Sequence, residues 1–113
     1  MARFHQMNAE TFGHNGLVYF QSYDTVVCVF DPENRKFTLL QHWRYSSSTT
    51  RQVMRFINEQ YVWLGLTARE LVRDLEGTNA MVYSCGNFSV QIVYKPSTIG
   101  KLNAQGAPLR LCI

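Results

Sequence analysis

The residues best suited to do chemistry lie together between Trp43 and Gln60, in the segment WRYSSSTTRQVMRFINEQ. Five consecutive hydroxyl side chains run from Ser46 to Thr50, and arginines flank them on both sides. The first turn of a helix exposes unpaired N–H groups and the positive end of the helix dipole, so hydroxyls and arginines placed there can bind an anion. A phosphate, a nucleotide or a nucleic-acid backbone would be such a ligand. An ordinary N-cap uses the same hydroxyls, so capping alone explains them equally well.

Arginines spaced four residues apart form a second candidate site. This spacing places Arg51 with Arg55 on one helical face, and Arg69 with Arg73 on another. An electropositive surface of this kind suits an acidic protein or a nucleic acid, although a solvated helix exterior also carries such arginines. The predicted binding surface comprises Arg44, Tyr45, Ser47, Ser48, Arg51, Arg55, Arg69 and Arg73.

A surplus of large aromatic residues is the third candidate. We predict that most of them belong to the core and that one or two lie at an exposed edge. There they would suit a protein interface, where tyrosine, tryptophan and arginine concentrate binding energy. These residues are Tyr19, Tyr23, Trp43, Tyr45 and Trp63.

Metal binding and covalent catalysis lack the residue patterns that they need. His5, His14 and His42 share no ligand spacing with one another or with the cysteines. The sequence contains no GxSxG, GxxxxGK[ST] or GxGxxG motif, and His42 lies close to the serines only along the chain. We therefore predict a non-enzymatic protein with no metal and no cofactor.

The length of 113 residues suits a single domain, residues 1–113. Apolar residues make up 46% of the chain and charged residues 17%, which is a globular composition rather than a disordered one. The net charge of +3 is mild, so it permits a nucleic-acid partner without requiring one.

The sequence also predicts an intracellular, soluble protein without a membrane partner. Its first residues, MARFHQMNAETFGHN, lack the apolar stretch of a signal peptide. No apolar run approaches the ~20 residues that span a bilayer. Cys28, Cys85 and Cys112 are odd in number, far apart and set in apolar surroundings, which predicts buried thiols in a reducing compartment.

Hydrophobic periodicity and turn residues predict an α+β fold, in which an antiparallel sheet packs against a helical hairpin. Residues 17–41 read as a three-stranded meander, and 81–94 as a second hairpin turning at Gly86-Asn87. Residues 49–76 form the helical hairpin. Residues 1–15 are predicted to be an irregular arm and 97–113 a tail.

Two capping boxes locate the predicted helices. Thr49 with Gln52 would begin the first helix, and Thr67 with Glu70 the second, because each pair has the spacing at which N-cap and N3 side chains exchange hydrogen bonds with the backbone.

The last residues of the sequence suggest how the protein assembles. If Leu109–Ile113 forms an edge strand, it can pair between chains, so we expect a homodimer.

One pattern of tyrosine, hydroxyl and aromatic residues extends over two segments, FQSYDTVVCVFDPEN and WRYSSSTTRQVMRFI. The pattern consists of Tyr23-Asp24-Thr25, Tyr45-Ser46, Thr49-Thr50 and Phe56. It resembles the "YxT … YSxxTT … F" core of a group of small proteins encoded by bacteriophages and mobile elements, and it covers about a third of the chain. Gln52 and Val53 stand where that group often has a histidine, so no role of that histidine is carried over.

The resemblance implies a class of function. Small phage proteins often bind and block host machinery, including CRISPR effectors. We therefore expect an inhibitor of a host protein or nucleoprotein complex, acting in the cytoplasm of a bacterial host cell. Two alternatives stay open. One is an accessory protein that binds nucleic acid through the Ser/Thr–Arg helix start, and the other is a nucleotide-binding enzyme.

Overall fold

The computed structural model describes residues 2–3, 9–23 and 25–97. In these ranges the chain forms one sheet and two α-helices. The strands are β1 (Ala2–Arg3), β2 (Ala9–His14), β3 (Leu17–Ser22), β4 (Thr25–Asp31), β5 (Lys36–Leu39), β6 (Ala80–Cys85) and β7 (Phe88–Tyr94). The helices are α1 (Ser47–Gln60) and α2 (Ala68–Leu75), with a 3-10 turn at Val62–Leu64 between them.

The sheet has the strand order β1-β2-β3-β4-β5-β7-β6. All neighbouring strands run antiparallel except β5 and β7, which run parallel. The C-terminal hairpin therefore joins the meander through its second strand, after the chain has crossed over through both helices. This arrangement confirms the predicted α+β fold, an antiparallel meander and a C-terminal hairpin combined with a helical hairpin.

The register of the C-terminal hairpin agrees with the Gly86-Asn87 turn. Opposing pairs include Cys85 with Phe88, Tyr83 with Val90 and Met81 with Ile92. Gly86 has a φ of 62°, the left-handed conformation that a two-residue hairpin turn requires. Val90 and Ile92 are fully buried, whereas Cys85 and Phe88, which flank the turn, are exposed.

The N-terminal prediction was wrong. Within the predicted irregular arm, residues 1–15, Ala9–His14 forms β2 and pairs with β3 along its whole length. The connection is a two-residue turn in which Asn15 and Gly16 have φ values of 52° and 80°. Asn-Gly is among the strongest short hairpin signals, because both residues adopt positive φ readily. The turn was therefore readable from the sequence.

Both helices pack on one face of the sheet, and aromatic rings fill the contact. Phe56 of α1 stacks on Phe20 of β3 with ring centroids 4.8 Å apart, and it meets Phe37 of β5 edge to face at 6.0 Å. All three rings are fully buried. Rings in these offset and T-shaped arrangements contribute attraction beyond the area they bury, so this cluster anchors α1 to the centre of the sheet.

Two further predictions concern cysteines and the chain end. Cys28 is fully buried as predicted, and burial raises the pKa of its thiol well above the ordinary value. Cys85 is exposed, so the prediction of a buried thiol was wrong there, because Cys85 directly precedes the hairpin turn. Cys112, the proposed Leu109–Ile113 strand and nearly all of the predicted tail lie outside the described residues.

Candidate functional site

Ser46 is the N-cap of helix α1. The Ser46 hydroxyl accepts a hydrogen bond from the backbone N–H of Thr49 at 3.1 Å, and its backbone is extended, as an N-cap requires. The predicted cap, Thr49 with Gln52, was therefore wrong. The side chains of Thr49 and Gln52 are only 2% and 3% exposed, because they point into the contact between α1 and the sheet.

A chain of buried hydrogen bonds links this helix start to the sheet. Ser46 Oγ donates to Thr49 Oγ1 at 3.2 Å, and Ser22 Oγ donates to Gln52 Oε1 at 2.6 Å. Thr49 Oγ1 and Ser22 Oγ lie 3.3 Å apart. Each hydroxyl carries one proton, and Ser22 has spent its proton on Gln52, so Thr49 donates to Ser22. The chain runs from Ser46 to Gln52 and holds the start of α1 against the end of β3.

The start of α2 matches the predicted capping box. Thr67 Oγ1 accepts from the Glu70 N–H at 3.2 Å, and Glu70 Oε1 accepts from the Thr67 N–H at 3.1 Å. The side chain of Asn58 on α1 holds the residue before this cap, since it bonds both the N–H and the carbonyl of Leu66. These contacts tie the start of α2 to the last turn of α1.

A groove with a volume of about 610 Å³ opens between the start of α1 and α2. Three arginines, three hydroxyl residues and three apolar residues line it. We call it the arginine groove, and its lining consists of Arg44, Arg51, Arg69, Ser46, Ser47, Thr50, Met54, Ala68 and Val72. It therefore combines positive charge and hydrogen-bonding groups with an apolar surface contributed by both helices.

The three arginines of the groove have no acidic partner among the described residues. Arg44, Arg51 and Arg69 are exposed, and none of them forms an ion pair with another residue of the described ranges. The Arg44 guanidinium lies 5.8 Å from the ring centroid of Trp43, and such cation–π stacking leaves its charge available. An acidic ligand in the groove would meet three cations that no described carboxylate neutralises.

The other two predicted arginines lie elsewhere and have acidic partners. Arg55 pairs with Glu59 at 3.8 Å, and Arg73 pairs with Asp74 at 3.3 Å. Neither lines the groove. Of the predicted binding surface, the structure thus brings Arg44, Ser47, Arg51 and Arg69 together, and leaves Tyr45, Ser48, Arg55 and Arg73 outside the groove lining.

A second cavity, of about 320 Å³, lies between the β3–β4 turn and the segment that leads into α1. We call it the tyrosine cavity, and its lining consists of Ser22, Tyr23, Thr25, Val27, His42, Tyr45 and Thr49. The rings of His42 and Tyr45 meet edge to face, with centroids 6.1 Å apart. Sequence reasoning did not find this cavity. Its only signal was the surplus of tyrosines, among which Tyr23 and Tyr45 are indeed exposed.

The remaining surplus aromatics divide between core and surface. Tyr19 and Trp43 are buried, whereas Trp63 is 40% exposed. At the far end of the molecule Trp63 packs edge to face on Phe88, and the Arg35 guanidinium lies 4.7 Å from the Phe88 ring centroid. The prediction that most of these aromatics belong to the core was therefore wrong, because the turns carry three of the five.

Among the described residues, no group of three or more histidine, cysteine or acidic side chains could hold a metal ion. None of the described helices is long and apolar enough to cross a membrane.

Comparison with known proteins gives one family. A family model described as a family of unknown function, DUF8033, matches residues 3–70, which is more than half of the chain. The chain belongs to the DUF8033 family. No curated protein and no solved structure matches it. The DUF8033 match contains the whole lining of the tyrosine cavity and all three arginines of the arginine groove, whereas β6 and β7 lie beyond it.

Proposed function

We propose that this DUF8033 protein is a non-enzymatic binding protein whose arginine groove takes up an acidic segment of a partner protein. The observation that carries the proposal is one groove that combines an apolar surface with three arginines, none of which pairs with a described carboxylate. A polypeptide segment that alternates carboxylates with apolar side chains would satisfy both parts of this lining.

The chemistry of the groove favours a polypeptide over a bare anion. Guanidinium groups bind carboxylates through paired, charge-assisted hydrogen bonds. Ala68 and Val72, which are partly exposed, offer apolar contacts beside them. Arginine is enriched at protein interfaces, in agreement with this lining.

We further propose that the partner belongs to a host protein or nucleoprotein complex in the cytoplasm of a bacterial cell, and that binding inhibits it. The resemblance to small bacteriophage proteins supports this part of the proposal. Inhibition by binding needs no catalytic group, because a tightly held protein blocks whatever surface it covers.

A selection from a displayed library of random peptides tests the groove. We expect the wild-type protein to enrich peptides that contain both acidic and apolar residues. The variant R44A/R51A/R69A should lose at least about tenfold in affinity for the enriched peptides, equivalent to ~1.4 kcal/mol. The matched control R55A/R73A also removes positive charge, but outside the groove, and should bind within about threefold of the wild type. Equal losses in the two variants would show that general charge, and not the groove, drives binding.

Nucleic acid is the second candidate, because Ser47 and Arg51 lie in the groove at the first turn of α1. Phosphate contacts make the logarithm of affinity fall steeply and linearly with the logarithm of salt concentration. Titration of fluorescent single-stranded and duplex DNA and RNA across salt concentrations separates the two proposals. Binding with a steep salt slope that R44A/R51A/R69A reduces would favour nucleic acid, and no binding at low salt would eliminate it.

A further inference from the structure

The tyrosine cavity is distinct from the arginine groove and has a different chemical character. Among the described residues, no side chain that lines it carries a fixed charge, and the two linings share no residue. Its volume of about 320 Å³ lies at the lower end of the ~300–1,000 Å³ typical of ligand pockets. A small molecule or a single protruding group fits this size, whereas a folded partner surface does not.

The buried hydroxyls of the cavity present hydrogen-bond acceptors. Ser22 and Thr49, exposed by only 3% and 2%, line it from below. Ser22 donates its one proton to Gln52, and Thr49 therefore donates its proton to Ser22. Each hydroxyl oxygen has two lone pairs. One lone pair of Ser22 Oγ accepts from Thr49, and one lone pair of Thr49 Oγ1 accepts from Ser46. The remaining lone pair on each oxygen can accept a hydrogen bond from water or from a ligand that donates N–H or O–H groups.

The sides of the cavity are aromatic and exposed. Tyr23 is 53% exposed and Tyr45 is 78% exposed, and the His42 ring packs against Tyr45. Rings in this position bury little of their own surface and so contribute little to the core. Flat ligands stack on such side chains, as nucleobases do on tyrosine and histidine in proteins that bind single strands.

The backbone at Tyr23 supports a role for its side chain other than stability. Tyr23 has a φ of 55°, a left-handed conformation that glycine and asparagine adopt more readily than a bulky residue. A tyrosine there gives up backbone stability, and its exposed ring gains little packing in return. Its ring does, however, stand at the edge of the cavity.

We propose that the tyrosine cavity binds a nucleobase, which stacks on Tyr23 and Tyr45 and donates its exocyclic amino group to the Ser22 and Thr49 hydroxyl oxygens. Adenine, cytosine and guanine carry such an amino group, and uracil does not. The base can come from a free nucleoside or nucleotide, or from a single strand of nucleic acid. The proposal goes beyond the peptide-binding groove and does not depend on it.

Ligand titrations followed by NMR chemical shifts test this proposal on the full-length protein. Adenosine and N6,N6-dimethyladenosine form the decisive pair, because both stack but only adenosine retains the amino N–H donors. We expect adenosine to shift resonances of the cavity residues and the dimethyl compound to bind at least tenfold more weakly. A short oligoadenylate distinguishes the source: tighter binding than adenosine indicates a single strand, and equal binding indicates the free nucleoside. Absence of binding by adenosine, cytidine and guanosine alike, or equal binding of adenosine and its dimethyl analogue, overturns the proposal.

Variants separate binding from folding. Tyr23→Asn suits the left-handed backbone, so it should keep or raise the unfolding temperature while it weakens adenosine binding at least about fivefold. The variant R44A/R51A/R69A should bind adenosine like the wild type, so failure of the peptide-groove proposal leaves this one intact. Full adenosine affinity in a double variant Y23N/Y45A would overturn the stacking role.

Discussion

The side-chain amide of Asn58 bonds the backbone of Leu66 twice. Asn58 Nδ2 donates to the Leu66 carbonyl at 2.8 Å, and the Leu66 N–H donates to Asn58 Oδ1 at 3.0 Å. Asn58 thereby substitutes for a backbone partner and ties the last turns of α1 to the residue before the Thr67 cap. Arg69, which lines the arginine groove, follows three residues after Leu66, in the first turn of α2.

Replacing this amide by a carboxylate tests the contact. Asn58→Asp keeps the Oδ1 acceptor but removes the donor to the Leu66 carbonyl, and we expect the free energy of unfolding to fall by about 1–2 kcal/mol. Urea denaturation measures it. Gln60→Glu is the matched control, since it makes the same chemical change at an exposed position near the same helix end. Equal effects of the two substitutions would attribute the loss to helix-end charge and not to the bond with Leu66.

The buried hydrogen-bond chain predicts a second effect. Ser22→Ala leaves Gln52 Oε1 without its donor and Thr49 without its acceptor, and Gln52 is only 3% exposed. An unsatisfied buried polar group costs about 1–3 kcal/mol, so we expect a loss of that size in urea denaturation. Ser84→Ala, on an exposed strand position, should change stability by no more than about 0.5 kcal/mol. A Ser22→Ala loss no larger than that of the control would contradict the chain as described.

The position of the α1 cap gives a third prediction. Ser46→Ala removes the acceptor for the Thr49 N–H and should destabilise the protein by about 0.5–2 kcal/mol, whereas Ser46→Gly should recover most of this loss. Ser47→Ala changes the first helical residue, whose side chain is exposed and is not the capping group, and should be nearly neutral. Thermal unfolding followed by circular dichroism at the helix band measures all three. A larger loss of stability in Ser47→Ala than in Ser46→Ala would show that Ser47, and not Ser46, is the N-cap.

Alkaline pH should weaken the fold through Tyr83. Burial, and then the hydrogen bond of its hydroxyl to Asp74 at 3.0 Å, raise the pKa of Tyr83 above its ordinary value. In the unfolded chain Tyr83 loses its proton near pH 10, while in the folded protein it still holds it. The unfolded state then binds fewer protons, so stability is present below about pH 10 and falls as pH rises further.

Tyr83→Phe tests this pH dependence. The variant lacks the hydrogen bond to Asp74, so its free energy of unfolding at neutral pH should be lower by about 0.5–1.5 kcal/mol. Above pH ~10 its stability should decline less steeply than that of the wild type. Urea denaturation at several alkaline pH values gives both quantities. Burial also raises the pKa values of Tyr19, Tyr61 and Cys28, so some decline remains in the variant. A decline as steep as that of the wild type would show that Tyr83 does not contribute to it.

Local signals in the sequence were sufficient for much of the fold. The Gly86-Asn87 turn and the alternation on either side predicted the β6–β7 hairpin, and the observed register is the one that a two-residue turn implies, since turn length and side-chain alternation together set register. The Thr67–Glu70 capping box was equally readable, because all of its atoms lie within one helical turn. The Asn15-Gly16 turn is the same kind of local signal, and it indicates a hairpin where an irregular arm was predicted.

The errors with a physical cause arose where one local pattern serves two purposes. Thr49 and Gln52 have the spacing of a capping box, but Ser46 supplies the cap, and both side chains instead bond to Ser22. That partner lies 30 residues from Gln52 along the chain, so no local pattern reports it. The sequence was similarly ambiguous about which arginines are free to bind a ligand. A helical repeat predicts which arginines share a face, but it does not predict which carboxylates lie near them.

The sequence by itself determined the fold class, the antiparallel hairpins and the helical hairpin, because each depends on residues within a few positions of one another. Tertiary structure alone decided the parallel pairing of β5 with β7, the buried link from α1 to β3, and the division of the arginines between a groove and paired positions. These features depend on which distant elements meet when the core closes. The candidate sites are of this second kind: each is a cavity between segments that only folding brings together.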